Sequence, residues 1–352
     1  MIRLNLAATL SIAALSAPSL ALAGTVFIPE GSANSILMVD IETGKTLDRL
    51  EGLEAIHGLG GAPGAKYLVA GSFTEIDRDK ATATAKPAGM SEDVHAAHHA
   101  KRDKAVLPED AGLSLVTILD AKTRQVVQRI EVPGAVHHTA MSPDGRLAVA
   151  THPAGDGISI IDLETLTYRG FVSTGPMPNY AVFAPEGGKA YVTNTGNGTL
   201  SEVDAENGYL TRNIRVGEGP EHLVLSANGA VAFVADSDGG KAYRVDLNSG
   251  EVTGAYDIGG EVHGIGLSDR EGVLFVAGKG TDRLVSIDLA TGKQREAALS
   301  PKPYHLTTIP NSGKLMVSSR SKPKVWIVDQ ATLTATGDIA IQGEGHQMVA
   351  LP

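Results

Sequence analysis

The chain has 352 residues, no cysteine, and a formal charge of −10 set by 40 acidic against 30 basic side chains. The missing thiols exclude disulfides, cysteine-ligated zinc, iron–sulfur clusters and covalent haem attachment, so any metal must be held by His, Asp, Glu, Met or backbone oxygen. The acidic balance argues against a nucleic-acid partner, which would require a basic stripe.

The chain opens with Met1-Ile2-Arg3, continues as an apolar run through Leu22, and places small residues at Ala21 and Ala23. This is the pattern of a secretory signal peptide over 1–23, cleaved after Ala23. No later stretch reaches about 20 apolar residues, so the expected mature protein, 24–352, is periplasmic and has no membrane span.

From Thr25 onward, short runs of β-branched and apolar residues alternate with turn clusters, and long helical periodicity is missing. Asp40, Asp120, Asp162, Asp204, Asp246, Asp288 and Asp329 each end such a run, most of them just before a turn such as Leu247-Asn-Ser-Gly250. A short carboxylate there can bond the backbone two or three residues on, so these aspartates are assigned to turns. Each unit of about 40 residues holds four strand signals, the pattern of a propeller blade. Three strands from Thr25 and one at His346–Leu351 complete the seventh blade. The predicted fold is therefore an all-β, seven-bladed β-propeller with four antiparallel strands per blade, closed by pairing of the N- and C-terminal strands.

A second set of repeated positions carries chemistry. His57, His138, Tyr180, His222, His263, His305 and His346 each stand at the start of the first strand of a blade, and the last six follow at intervals of 42, 42, 41, 42 and 41 residues. In a propeller these strands line the central channel, which gathers the imidazoles at one mouth. The second strands are expected to end at Glu30, Gly71, His152, Asn194, Asp236, Gly278 and Ser319 on the same face, which adds His152 and Asp236 to the candidate ligands. His137 is assigned a structural or supporting role. The first interval is longer because a polar insertion, 74–111, interrupts one blade. It contains Met90-Ser-Glu-Asp-Val-His95-Ala-Ala-His98-His99, whose three histidines would meet on a helical turn. The ordinary alternatives are a duplicated strand start that kept its histidine, and a solvated loop.

Ala190-Tyr-Val-Thr-Asn194 followed by the aspartate turn resembles the YVTN-type seven-bladed propellers, whose relatives include the cytochrome d1 propellers. The histidine-decorated channel with a histidine-containing loop is similar to the periplasmic zinc metallochaperones that serve zinc ABC importers. That resemblance implies a carrier rather than a catalyst. It would hold zinc, or copper, through His57, His138, His152, His222, Asp236, His263, His305, His346, His95, His98 and His99, and pass it to a periplasmic solute-binding protein or transporter component. No catalytic residue is assigned. Two enzymatic alternatives stand beside it: a haem d1-binding oxidoreductase or assembly factor, and a metal-dependent lactonase or lyase with Asp236 or Glu30 as base. The scarcity of Arg and Lys at the mouth, with Lys279, Lys302 and Arg320 the nearest, counts against haem d1 and its carboxylates.

Overall fold

The computed structural model describes residues 24–76 and 112–352. Within them lie seven four-stranded antiparallel sheets, each a consecutive run of strands except one. In that sheet Val349–Leu351 pairs with Thr25–Phe27, and the strands Thr25–Pro29, Ser35–Asp40 and Thr46–Glu51 follow outward. The expected closure is thus present.

Burial explains the radial order. Second and third strands such as Leu147–His152 and Gly157–Asp162 are covered on both faces, while outer strands such as Thr46–Glu51 and Glu251–Asp257 are largely exposed. Strands buried on both sides need continuous apolar runs, whereas outer strands can carry charge. Seven apolar clusters fill the seven gaps between blades. One of them joins Val26, Ile28 and Leu37 of the closing blade to Ile309, Met316 and Val325 of its neighbour. All seven aspartates at the ends of the third strands behave as expected. Each accepts the backbone N–H three residues on, from Thr43, Thr123, Thr165, Asn207, Ser249, Thr291 or Thr332, at 2.7–2.9 Å.

The inner strands depart from regular pairing at the channel positions. In the blade of Pro178–Phe183, Pro178 faces Asn194 and the next pair is Ala181 with Val192, so Asn179 and Tyr180 share one partner residue. The same two-against-one arrangement occurs at Glu221-His222 and at Tyr304-His305, and the register also shifts around His57. A bulge re-aims a side chain that regular alternation would place elsewhere. Hydroxyls of the second strand accept hydrogen bonds from the N–H groups of ring residues. Thr151 accepts from His138 at 2.9 Å, Thr193 from Tyr180 at 3.1 Å and Ser318 from His305 at 3.2 Å. Thr193 of the Tyr-Val-Thr-Asn motif therefore supports the bulge, while Asn194 braces Thr199 and Ser201.

Neighbouring inner strands approach closely. A methyl group on Gly58 would lie 2.7 Å from the backbone of His138 and Thr139. Gly58→Ala is expected to destabilise the fold by about 2 kcal/mol or more through backbone displacement, visible as a lowered Tm; an unchanged Tm would show that the blades yield freely there.

Candidate metal centre

Six histidines and Tyr180 meet in the channel as a packed ring. His138, His222, His263 and His305 are at most 3% exposed, and His57 and His346 are 8% and 7% exposed, so access is from the side of the latter pair. Ring centroids lie 5.0 Å apart for His138 and His222, 5.3 Å for His138 and His305, and 4.8 Å for His222 and His305. One nitrogen from each of these three lies within 4.8 Å of the other two. His263 packs 4.1 Å from His222 and 4.9 Å from His305. The stacked pair His57 and His346, 3.8 Å apart, continues the ring, with His57 5.1 Å from His138.

The unmet hydrogen-bonding capacity is the most telling feature. Nε2 of His138, His222, His263 and His305, and Nδ1 of His346, are buried with no partner. An unsatisfied buried polar atom costs about 1–3 kcal/mol, and five on one ring is far beyond ordinary tolerance. Outer partners orient two of these rings. Nδ1–H of His138 donates to the Asn179 carbonyl at 2.8 Å, which leaves its Nε2 as a lone pair. Nδ1–H of His263 donates to the Glu221 carboxylate. Burial lowers the His263 pKa and raises that of Glu221, so this contact is a hydrogen bond to a neutral imidazole rather than an ion pair. Metal-binding histidines are commonly held in this way, by a carbonyl or carboxylate on the far nitrogen.

Burial, with neighbouring imidazoles or cations adding to it, holds His57, His138, His222, His263 and His305 well below the usual histidine range. His137 and His346 are lowered to about 4, again chiefly by burial. The ring is therefore neutral at pH 7, and its lone pairs fit a divalent metal ion. His57, His137 and His138 make a second group of three, sharing His138 with the first.

The other candidate ligands are placed differently. His152 donates from Nδ1 to the Gly134 carbonyl at 3.2 Å and uses Nε2 with Ser159 at 2.8 Å, so neither nitrogen is free. Asp236 accepts from the backbone N–H of Glu218, Gly219 and Gly239. Both brace loops between strands. Glu30, at the corresponding place in the closing blade, is held by Arg49, Ser35 and the Gln342 N–H. The second strand of the interrupted blade ends at Ser72, one residue beyond the expected Gly71. His95, His98 and His99 lie outside the described residues. Phe73 leaves the strand 5.1 Å from the His57 ring, which puts the start of the insertion on the histidine face as expected.

Gln347 was not anticipated. Its Oε1 accepts from the N–H of Leu59 and Thr139 at 3.1 and 3.2 Å, and its Nε2 reaches the Thr139 carbonyl and the Tyr180 hydroxyl. One amide thus links four blades beside the ring. Glu221 was equally hidden, because its partner His263 lies in the next blade.

The depressed pKa values carry a consequence for the metal-free protein. Unfolded histidines take up protons near 6.5, whereas His137, His152 and His346 do so near 4, and burial holds His57, His138, His222, His263 and His305 well below 6.5 as well. Below pH 6.5 the unfolded chain binds more protons, so stability falls with pH from 6.5 toward 4 and is retained above 6.5. Thermal unfolding across that range should show a steep loss; a flat Tm would contradict neutral burial. His222→Leu should leave the metal-free protein equally or more stable, because it removes an unsatisfied nitrogen. A drop of several degrees would show instead that the nitrogen is satisfied.

No protein of curated function matches the sequence. Among solved structures, the periplasmic gluconolactonase PpgL of Pseudomonas aeruginosa is 14% identical with a TM-score of 0.69, over 94% of this chain and 99% of that one. Hydrazine synthase of Kuenenia stuttgartiensis is 16% identical with a TM-score of 0.65, over 82% and 87% of the two chains. Dihydro-haem d1 dehydrogenase NirN is 14% identical with a TM-score of 0.62, over 91% of this chain and 64% of that one. These likenesses establish the propeller fold. Their names are those of enzymes, which corrects the expectation of a non-enzymatic zinc metallochaperone. The geometry agrees with the correction: donors sealed to 3% exposure or less suit an ion that is kept, not one handed to a transport partner. The profile of the family described as outer membrane protein assembly factor BamB matches residues 113–335, more than half of the chain, and the protein belongs to that family.

Proposed function

We propose that the protein is a metal-dependent hydrolase that opens lactones or related small esters at the histidine-lined mouth of the propeller. The observation that carries this reading is the set of unpartnered Nε2 atoms on His138, His222, His263 and His305. His138, His222 and His305 are the proposed ligands, with His263 as a fourth donor or a neighbour of the bound water. A divalent transition metal on three imidazoles supplies a polarised carbonyl and a water acidic enough to attack it near neutral pH. The chain's own contribution is orientation by the Asn179 carbonyl, and the Glu221 carboxylate where His263 takes part. The Gln347 bridge seals the surroundings. Zinc and copper are the ions to test first, since imidazole suits both.

The gluconolactonase name supports the reaction class. A haem macrocycle fits less well, because the free nitrogens converge on one another with ring centroids about 5 Å apart and leave no slot between them. The family description names the assembly of outer membrane proteins, a role that leaves the buried imidazoles without a task. It does support an envelope location, as does the word periplasmic in the name of PpgL. Export through the leader at 1–23, a single mature domain over 24–352 and a contribution from the insertion 74–111 are part of the same proposal.

Elemental analysis of protein purified from the periplasm should find about one equivalent of metal per chain. The His138→Ala/His222→Ala double variant should lose it, together with at least a hundredfold of lactone or ester hydrolysis. Asp236→Asn should keep the metal, because Asp236 braces backbone N–H groups. A wild-type protein that takes up no added metal would end the proposal.

A further inference from the structure

One position past Glu30, Ser72, His152, Asn194, Asp236, Gly278 and Ser319, the residues that end or adjoin the second strands, the chain leaves the sheet on the histidine face. Phe73 lies 5.1 Å from His57, and a methyl group on Gly31 would touch Nε2 of His346 at 2.8 Å. Pro153, Thr195 and Ser237 hold the equivalent position in three other blades, and none of these five is charged. The remaining two, in adjacent blades, are Lys279 and Arg320. Both are drawn to one side chain: Arg320 sits 5.4 Å and Lys279 5.9 Å from the centroid of Tyr304. Tyr304 in turn stacks on His263 at 3.9 Å with planes 10° apart and meets His305 edge-on at 4.4 Å. The two cations are thus one aromatic ring away from the proposed ligands.

The neighbouring carboxylates are already engaged. Glu221 binds His263, Glu344 binds Ser32, and the mostly exposed Glu261 pairs with Lys279 at 3.2 Å. Among the described residues Arg320 has no ion-pair partner, although the chain as a whole carries an excess of acid. Arginine offers a planar fork that matches a carboxylate; that of Arg320 also meets the Tyr304 hydroxyl, but no carboxylate among the described residues occupies it. A substrate carboxylate held there would lie across Tyr304 from His263 and His305, with the rest of a small molecule extending toward the more exposed His346, 6.3 Å from Tyr304.

We infer that Arg320 and Lys279 form a carboxylate-docking sector on the rim, so that the enzyme prefers substrates carrying an anionic group about one aromatic ring away from the bond to be cleaved. This rests on the proposed hydrolase reading, and the test separates the two. Phenyl acetate and 4-acetoxybenzoate differ only by a carboxylate. The metal-loaded wild type should favour 4-acetoxybenzoate by about tenfold or more in kcat/KM, as expected for a charge-assisted pair. Lys279→Gln/Arg320→Gln should bring that ratio close to one through a raised KM, and added salt should shrink it in the wild type. Hydrolysis of both esters without preference overturns the docking sector and leaves the hydrolase. If neither ester is cleaved the hydrolase reading fails, and calorimetry with benzoate decides the sector alone. Binding to the wild type that is lost in the double variant upholds it. Equal binding to both proteins, or none, overturns it.

Discussion

The bulge at the start of four of the inner strands is the constraint on which much of the site depends. A propeller brings seven strands to one axis, but regular pairing there would alternate side chains along the channel. Placing two residues opposite one, as at Glu221-His222 against the second strand, aims an imidazole inward and leaves the preceding residue on the mouth side. The cost of the irregular backbone is offset locally, by hydroxyls such as Thr193 and Ser318 that receive the displaced N–H groups. The inward aim of His57, Tyr180, His222 and His305 follows from that repeated distortion.

The ring itself is strained in a different sense. Its polar atoms face one another with too few protons to share, and only His57 and His346 keep some exposure to solvent. A fold that only needed a filled channel would be served better by apolar side chains, as the lone Tyr180 suggests at its own position. The arrangement makes chemical sense once a cation is supplied, because lone pairs that repel one another then converge on the same charge. Stability and function pull apart at this point, as they commonly do at binding sites.

Much of the architecture was legible because it repeats. The aspartate turns and the histidine intervals fix blade number and register, and a Cys-free chain narrows the donors to imidazole and oxygen. What the repeat does not reveal is whether a residue at a matched position keeps a free donor atom. His152 and Asp236 stand at equivalent strand ends, but a residue there points into the gap between loops, where backbone N–H and C=O groups need partners. Contacts between blades, such as Glu221 with His263 and Gln347 with Thr139, carry no signal in local pattern, because the partners are 42 and 208 residues apart. Carrier and catalyst also share a ligand set in sequence; only the depth of burial separates them.

Gln347 gives the closing strand a second meaning. It and His346 follow every other ring position in the chain, and they reach the channel only when Val349–Leu351 has paired with Thr25–Phe27. Without that pairing the ring would lack both the stacked His346 and the amide tie of Gln347. The complete centre therefore exists only in the closed circle. A chain that misjoins its ends is left without the assembled ring, whatever the quality of its remaining blades.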